Sequence, residues 1–129
     1  SIHGISKEHL IAHGMPAKQA MEAIITWVNE TVPTGKRALF VGHNAPFDWM
    51  YTAYYFAWAG LPNPFGYNAL DTKAMIMGQH RLPWKRCGKD EMLIRYPHLK
   101  APKPEDVHNA LHDAQFQADI LIALLDYQG

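Results

Sequence analysis

The chain has 129 residues, of which 48% are hydrophobic and 19% charged, a balance that predicts one soluble globular domain rather than a disordered segment. Twelve basic residues balance twelve acidic ones, which argues against a protein that coats nucleic acid along its length, since such binding needs a strong positive field. No apolar run is long enough to cross a membrane. The single cysteine, Cys87, has no partner for an internal disulfide and predicts a reducing, cytoplasmic location.

Apolar spacing in the first half of the chain predicts helices that alternate with strands. Residues 16–31 carry apolar side chains at helical spacing, with Pro16 at the first turn, and predict an amphipathic helix. The run 38–42 is apolar throughout and predicts a strand buried on both faces, as in a parallel sheet. A helix over 46–59 and a short second strand at 67–71 follow.

The second half of the chain is predicted to be mainly helical. Asp71 is predicted to cap the helix that follows the second strand. A loop over 81–90 precedes a short helix near 90–96, and a last helix is predicted over about 109–127. The predicted buried stripe of this last helix is Leu111, Ala114, Ala118, Leu121, Ile122 and Leu125. The order is typical of α/β proteins, although two short strands are too few for a stable sheet covered by helices.

Residues 40–48, Phe-Val-Gly-His-Asn-Ala-Pro-Phe-Asp, place polar side chains where the first strand passes into a helix. Ligands of α/β folds collect beyond the carboxyl ends of strands. A carboxylate at that point, Asp48, suits Mg²⁺ or Mn²⁺, because these ions prefer oxygen ligands. Alternatively, Asp48 lies in the first helical turn only because the helix dipole favours an acid there.

Residues 107–120 carry a second group of polar side chains. Asp113 lies near the start of the last helix, five residues after His108. A metal-binding carboxylate beside a histidine that takes a proton from water is the minimum set for metal-assisted hydrolysis, and the pKa of histidine lies near neutral. Alternatively, His108 belongs to a linker and Asp113 to a solvated helix face.

Together the two stretches resemble the DEDDh 3′–5′ exonucleases, the family that includes bacterial proofreading subunits and ribonuclease T. The family motif His-Asn-x-x-Phe-Asp matches residues 43–48 completely. The motif His-x-x-x-x-Asp-Ala, with a small residue one turn later, matches residues 108–114 and Ala118. Residues 3–10 and 68–78 also resemble family segments, so the resemblance covers nearly the whole chain in the right order.

The resemblance implies a ribonuclease H-like exonuclease fold of the α/β class. It also implies a hydrolase that uses two Mg²⁺ or Mn²⁺ ions to release nucleoside 5′-monophosphates from the 3′ end of a nucleic-acid strand. Asp48 and Asp113 correspond to two of the four metal-binding carboxylates, and His108 corresponds to the general base. Both aspartates and His108 are therefore the expected catalytic residues.

His43, Asn44 and Phe47 fall within the motif that shapes the substrate site in the family. The residues by themselves favour structural roles for His43, which suits the strand-to-helix turn, and for Phe47, which suits an inward anchor of the helix. For Asn44 the structural role in the turn and the role in the substrate site stay open. Two further groups of residues, aromatic and basic, each have a functional and a structural interpretation. Aromatic residues that either stack on bases or, more commonly, fill a core are Trp49, Tyr51, Tyr54 and Tyr55. Basic residues that either contact phosphates or, more commonly, form solvated surface are Lys85, Arg86 and Lys89.

The family's first motif, an Asp-x-Glu pair on the first strand, does not occur in the chain. We therefore expect residues 1–129 to be the C-terminal portion of a single exonuclease domain, without its N-terminal antiparallel strands. Half of the carboxylates would then be absent, so this chain alone is expected to bind the ions weakly and to cleave nothing measurable. An unpaired sheet edge also permits pairing with another chain, including a homodimer.

Two other interpretations remain open. His108 and His112 lie four residues apart, a spacing that binds Zn²⁺ on a helix, but Asn109 stands where the zinc-protease signature requires glutamate. A non-catalytic, nuclease-like module would instead bind nucleic-acid ends or a protein partner. The sequence does not distinguish DNA from RNA, because that choice depends on contacts to the sugar 2′ position.

Overall fold

A computed structural model describes residues 4–101, 103 and 109–127. Helices and strands occur in the predicted order, and the α/β class is confirmed. The helices are α1 (Lys7–His13), α2 (Ala17–Thr31), α3 (Ala45–Ala59), α4 (Thr72–His80), α5 (Lys89–Arg95) and α6 (Ala110–Leu125), and the strands are β1 (Phe40–Gly42) and β2 (Ala69–Asp71). The two strands pair in a small parallel sheet. No helix within the described ranges is long and apolar enough to span a membrane.

Most predicted helices are confirmed to within one or two residues at each end, whereas the strands are shorter than predicted. In β1 only Gly42 is buried, while Phe40 and Val41 are half-buried, so the prediction of a strand buried on both faces is wrong for those two residues. Helix α1 was not predicted. Its signal is Ser6, whose Oγ accepts a hydrogen bond from the His9 N–H at 3.1 Å and caps the helix.

The described residues fall into two compact units. One comprises residues 1–40 and 46–70, and the other comprises 41–45 and 71–129, within the described ranges. Each unit has its own buried residues, so the packing of each is described separately below.

The first unit buries Val28 of α2 and Phe56 of α3. Aromatic side chains extend this core. The ring of Phe40 lies 5.3 Å from that of Trp49 and 5.6 Å from that of Phe65, measured between centroids. The tilted and edge-on angles of these pairs are the arrangements that aromatic rings prefer.

The second unit has a continuous apolar core between α4, α5 and α6. Its buried members are Ile76, Cys87, Met92, Tyr96, Phe116, Ile120, Ala123 and Leu124. The Gln79 side chain donates a hydrogen bond to the Leu124 carbonyl at 2.9 Å and joins α4 to the end of α6. Glu91 of α5 accepts from Arg86 at 3.1 Å and Arg95 at 2.7 Å. The core and these contacts fix the position of α6, the helix that carries Asp113.

The buried face of α6 is not the predicted stripe. Phe116, Ile120, Ala123 and Leu124 are buried, and they lie on the opposite side of the helix from the predicted residues. Of those residues, Leu121 is half-buried and the exposed ones are Leu111, Ala114, Ala118, Ile122 and Leu125. The physical reason is that α6 is apolar around most of its circumference. Its sequence therefore does not mark one face, and packing against the rest of the unit selects it.

Candidate functional site

Strand β1 leads into α3 through His43 and Asn44, here called the strand-end turn. Asn44 has a φ of 64°, in the left-handed region that asparagine enters more readily than most other non-glycine residues. Its backbone N–H donates to Asp71 Oδ1 at 2.8 Å. The residue type at position 44 therefore has a conformational explanation.

Asp71 ends β2 and is confirmed as the N-cap of α4. Its Oδ1 atom accepts a hydrogen bond from the Lys73 N–H at 3.0 Å and also binds the Asn44 N–H. A short acidic side chain suits this position because its oxygen reaches the unpaired N–H groups at a helix start. One carboxylate oxygen thus ties the first turn of α4 to the strand-end turn.

His43 is held at both its backbone and its ring. Its N–H donates to Gln117 Oε1 at 2.8 Å, and its ring Nδ1 lies 3.2 Å from Thr72 Oγ1. The buried Thr72 hydroxyl donates its one proton to the Gly42 carbonyl at 3.3 Å. The hydroxyl group thus joins the His43 ring to the end of β1.

The electrostatic surroundings favour the neutral form of the His43 ring. Burial lowers the pKa of its ring below the ordinary value, and the nearby Lys89 ammonium lowers it further, while Asp71 acts in the opposite direction. His43 is thus a neutral, anchored side chain at neutral pH. These contacts agree with the structural role predicted for His43, which is to stiffen the strand-to-helix turn.

Asp113 lies in the first turn of α6, which Asn109 caps through its side chain. Asp113 Oδ1 accepts a hydrogen bond from Lys89 Nζ at 2.9 Å, and both side chains are about one-third exposed. Asp113 therefore lies on a partly exposed helix face with an ion-pair partner, and Lys89 is likewise partly exposed and paired. Of the other two basic residues, Lys85 is exposed, as expected, and Arg86 binds Glu91.

Asp48 lies in the first turn of α3 and is exposed. Its backbone carbonyl accepts from the Thr52 hydroxyl at 2.9 Å, but its carboxylate has no hydrogen bond or ion pair among the described residues. His108 lies outside those residues. The convergence of Asp48, His108 and Asp113 on one site therefore stays a prediction.

The two aspartates fit a divalent cation by their chemistry, since carboxylate oxygens are what Mg²⁺ and Mn²⁺ prefer. Asp113 already holds a cationic group, the Lys89 ammonium. Within the part of the chain that the structure describes, no group of three or more His, Cys, Asp or Glu residues could hold a metal ion. The described residues thus contribute separate oxygen donors rather than a complete ligand set.

Phe47 is 58% exposed, so its predicted core position is wrong. Its ring contacts Tyr51 edge-on, with 5.3 Å between centroids. Tyr51, Tyr54 and Tyr55 are exposed too, and with Met50 they line a groove of about 270 Å³. The core interpretation holds better for Trp49, which is half-buried. Helix α3 is apolar on most sides, so its spacing alone did not identify the buried side.

Three residues with defined contacts here were not identified from the sequence as partners. Thr72 carries the one readable signal, because it directly follows the capping aspartate at the end of a strand. Gln117 meets His43 across 74 positions of the chain, and Lys89 meets Asp113 across 24. No local pattern reports such distant pairs.

The chain is similar to known exonucleases over nearly its whole length. The 3′–5′ DNA exonuclease Cap18 of Escherichia coli is 38% identical over 127 residues, which make up 97% of this chain and 64% of Cap18. The chain thus spans less than two-thirds of that relative. A sequence model of the Rv2179c-like 3′–5′ exoribonuclease domain matches residues 5–125, a range that contains the strand-end turn and both predicted metal-binding aspartates. The chain therefore belongs to this family of 3′–5′ exonucleases.

Proposed function

We propose that the protein is a metal-dependent 3′–5′ exonuclease that releases nucleoside 5′-monophosphates from the end of a nucleic-acid strand. The observation that carries the proposal is the family match over residues 5–125. The complete His-Asn-x-x-Phe-Asp motif at residues 43–48 supports it. Asp113, half-buried and ion-paired with Lys89 at 2.9 Å, adds a second carboxylate.

The proposed fold is the ribonuclease H-like exonuclease fold, with Asp48 and Asp113 as ligands of Mg²⁺ or Mn²⁺. When bound, two such ions supply positive charge that stabilises the transition state of phosphodiester hydrolysis. His108 takes the proton of the attacking water. The water oxygen bonds to phosphorus as the bond from phosphorus to the 3′ oxygen breaks. The leaving oxygen takes a proton from solvent, which leaves a shortened strand with a 3′ hydroxyl.

The strand-end turn has a positioning role in this proposal. Asp71 and Gln117 hold its two backbone N–H groups at 2.8 Å each, and Ala45, the first residue of α3, is buried. These contacts hold the turn that directly precedes α3.

The proposed substrate is single-stranded nucleic acid with a free 3′ hydroxyl. The family description names an exoribonuclease, and the name of Cap18 specifies DNA. Sugar preference is therefore measured with DNA and RNA oligonucleotides of the same sequence, each labelled at the 5′ end.

The test is digestion of these oligonucleotides by the full-length protein in Mn²⁺, with nucleoside 5′-monophosphates identified by mass spectrometry. His108→Ala is expected to lower the rate by about 10²–10⁴-fold, as for other general bases. Asp48→Asn and Asp113→Asn should lower it further, because they remove proposed metal ligands. Asp119→Asn, the same change at an exposed position of α6, should retain the wild-type rate.

Two results would contradict the proposal. Equal digestion of oligonucleotides with free and phosphate-blocked 3′ ends would show that the enzyme does not act from the 3′ end. Tight binding of oligonucleotide and Mn²⁺ without any shortening would instead support the non-catalytic binding module.

A further inference from the structure

We propose that Lys89 acts as a built-in counterion of Asp113 that competes with the divalent metal and thereby limits metal affinity. This inference rests on the proposed function, because it requires Asp113 to be a metal ligand. In this role Lys89 acts on the metal only through its contact with Asp113.

The geometry of the pair is that of a direct, charge-assisted hydrogen bond. Lys89 Nζ lies 2.9 Å from Asp113 Oδ1, and the two side chains are 33% and 32% exposed. A pair that is two-thirds covered is screened by salt less than one on the open surface. The ammonium therefore occupies Oδ1, one of the two carboxylate oxygens that a cation could use.

The position of Lys89 in α5 gives no local reason for a positive charge. Lys89 is the first residue of the helix, and Gly88 caps it without a side-chain hydrogen bond. A cation at a helix N-terminus is electrostatically unfavourable. The first turn already contains Asp90 and Glu91, which suit the dipole. The contact that offsets the unfavourable position is the one with Asp113.

The charge of Lys89 also acts on the strand-end turn. Lys89 is the charged group with the largest effect on the pKa of His43, which it lowers. Its ammonium thus acts on the turn that follows β1 as well as on Asp113 of α6.

The test is calorimetric titration of Mn²⁺ into the full-length protein without nucleic acid. Lys89→Met should lower the Kd for Mn²⁺ by about two- to fivefold, the range expected for losing a partly exposed ion pair. Lys89→Arg keeps the competing charge and should keep the Kd near the wild-type value. Lys85→Met, the same charge change at an exposed position in the preceding 3₁₀ turn, controls for the net charge of the protein.

A second readout separates competition from a merely structural role. In EDTA, Lys89→Met should have a lower Tm than the wild type, because Asp113 loses its partner, and Mn²⁺ should raise the Tm of this variant more than that of the wild type. If Lys89→Met does not fold, Lys89→Gln, which keeps a polar tip, replaces it. An unchanged or higher Kd for Mn²⁺ in the variant that folds overturns the inference.

Asp113→Asn distinguishes failure of this inference from failure of the proposed function. Wild-type Mn²⁺ affinity in Asp113→Asn would remove Asp113 from the ligand set, and both proposals would fail. Weakened affinity in Asp113→Asn, combined with no change in Lys89→Met, would overturn the counterion role alone.

Discussion

Individual residues of the His-Asn-x-x-Phe-Asp stretch differ in how far folding explains them. His43 and Asn44 are accounted for by the turn, through hydrogen bonds to Gln117, Thr72 and Asp71 and through the positive φ of Asn44. Phe47 and Asp48 are exposed. Phe47 contacts Tyr51 edge-on, and Asp48 lies in the first turn of α3, where the helix dipole favours an acid. Exposed residues in an otherwise structural motif are the ones whose presence calls for a function.

His80 makes the stability of the protein depend on pH. Its Nε2 lies 2.9 Å from the Tyr96 hydroxyl, and burial, with a contribution from Arg95, lowers its pKa below 6.5. The folded state thus binds the proton less readily than the unfolded state, so the free energy of unfolding should fall as the pH drops from 7 through 6.5.

The check is urea unfolding at pH 5 to 7.5 of the wild type and of His80→Gln, which does not titrate in this range. The stability of the wild type relative to the variant should decrease as the pH falls. Parallel curves for the two proteins would contradict the assignment.

At the scale of elements, α3 and α6 show the limit of apolar spacing. Both helices were predicted with nearly correct ends, because caps and prolines mark those ends locally. Both buried faces were misjudged, Phe47 in α3 and the stripe from Leu111 to Leu125 in α6, because apolar residues surround much of each helix. The face is chosen by what the helix packs against.

Paired substitutions in α6 test the corrected face. Ile120→Ala should lower the free energy of unfolding by about 2–5 kcal/mol, since Ile120 is fully buried and its truncation leaves a cavity. Leu125→Ala removes a similar volume from an exposed position and should cost at most about 0.5 kcal/mol. Chemical denaturation measures both. A larger effect of Leu125→Ala would restore the predicted stripe.

For the whole molecule, the absence of net charge predicts a shallow salt dependence of nucleic-acid binding. A chain that holds about two or three phosphates of a single strand should give a slope of log K against log salt of about −1.4 to −2.1. Fluorescence anisotropy with a labelled oligonucleotide measures the slope, with Asp113→Asn as the protein because we expect this variant not to digest the oligonucleotide. A slope steeper than about −4 would indicate an extended positive groove.

The sequence by itself determined the α/β class, the order of the elements, the cap at Asp71 and the motifs that identify the family. Each of these depends on residues close together in the chain, where side-chain chemistry acts on the nearest backbone groups. Only the tertiary structure decided which faces of α3 and α6 are buried and that Gln117 holds His43 and Lys89 holds Asp113. The two contacts join positions 74 and 24 residues apart. Such residues, and the face that a helix buries, are brought together by the packing of several elements, which no local pattern reports.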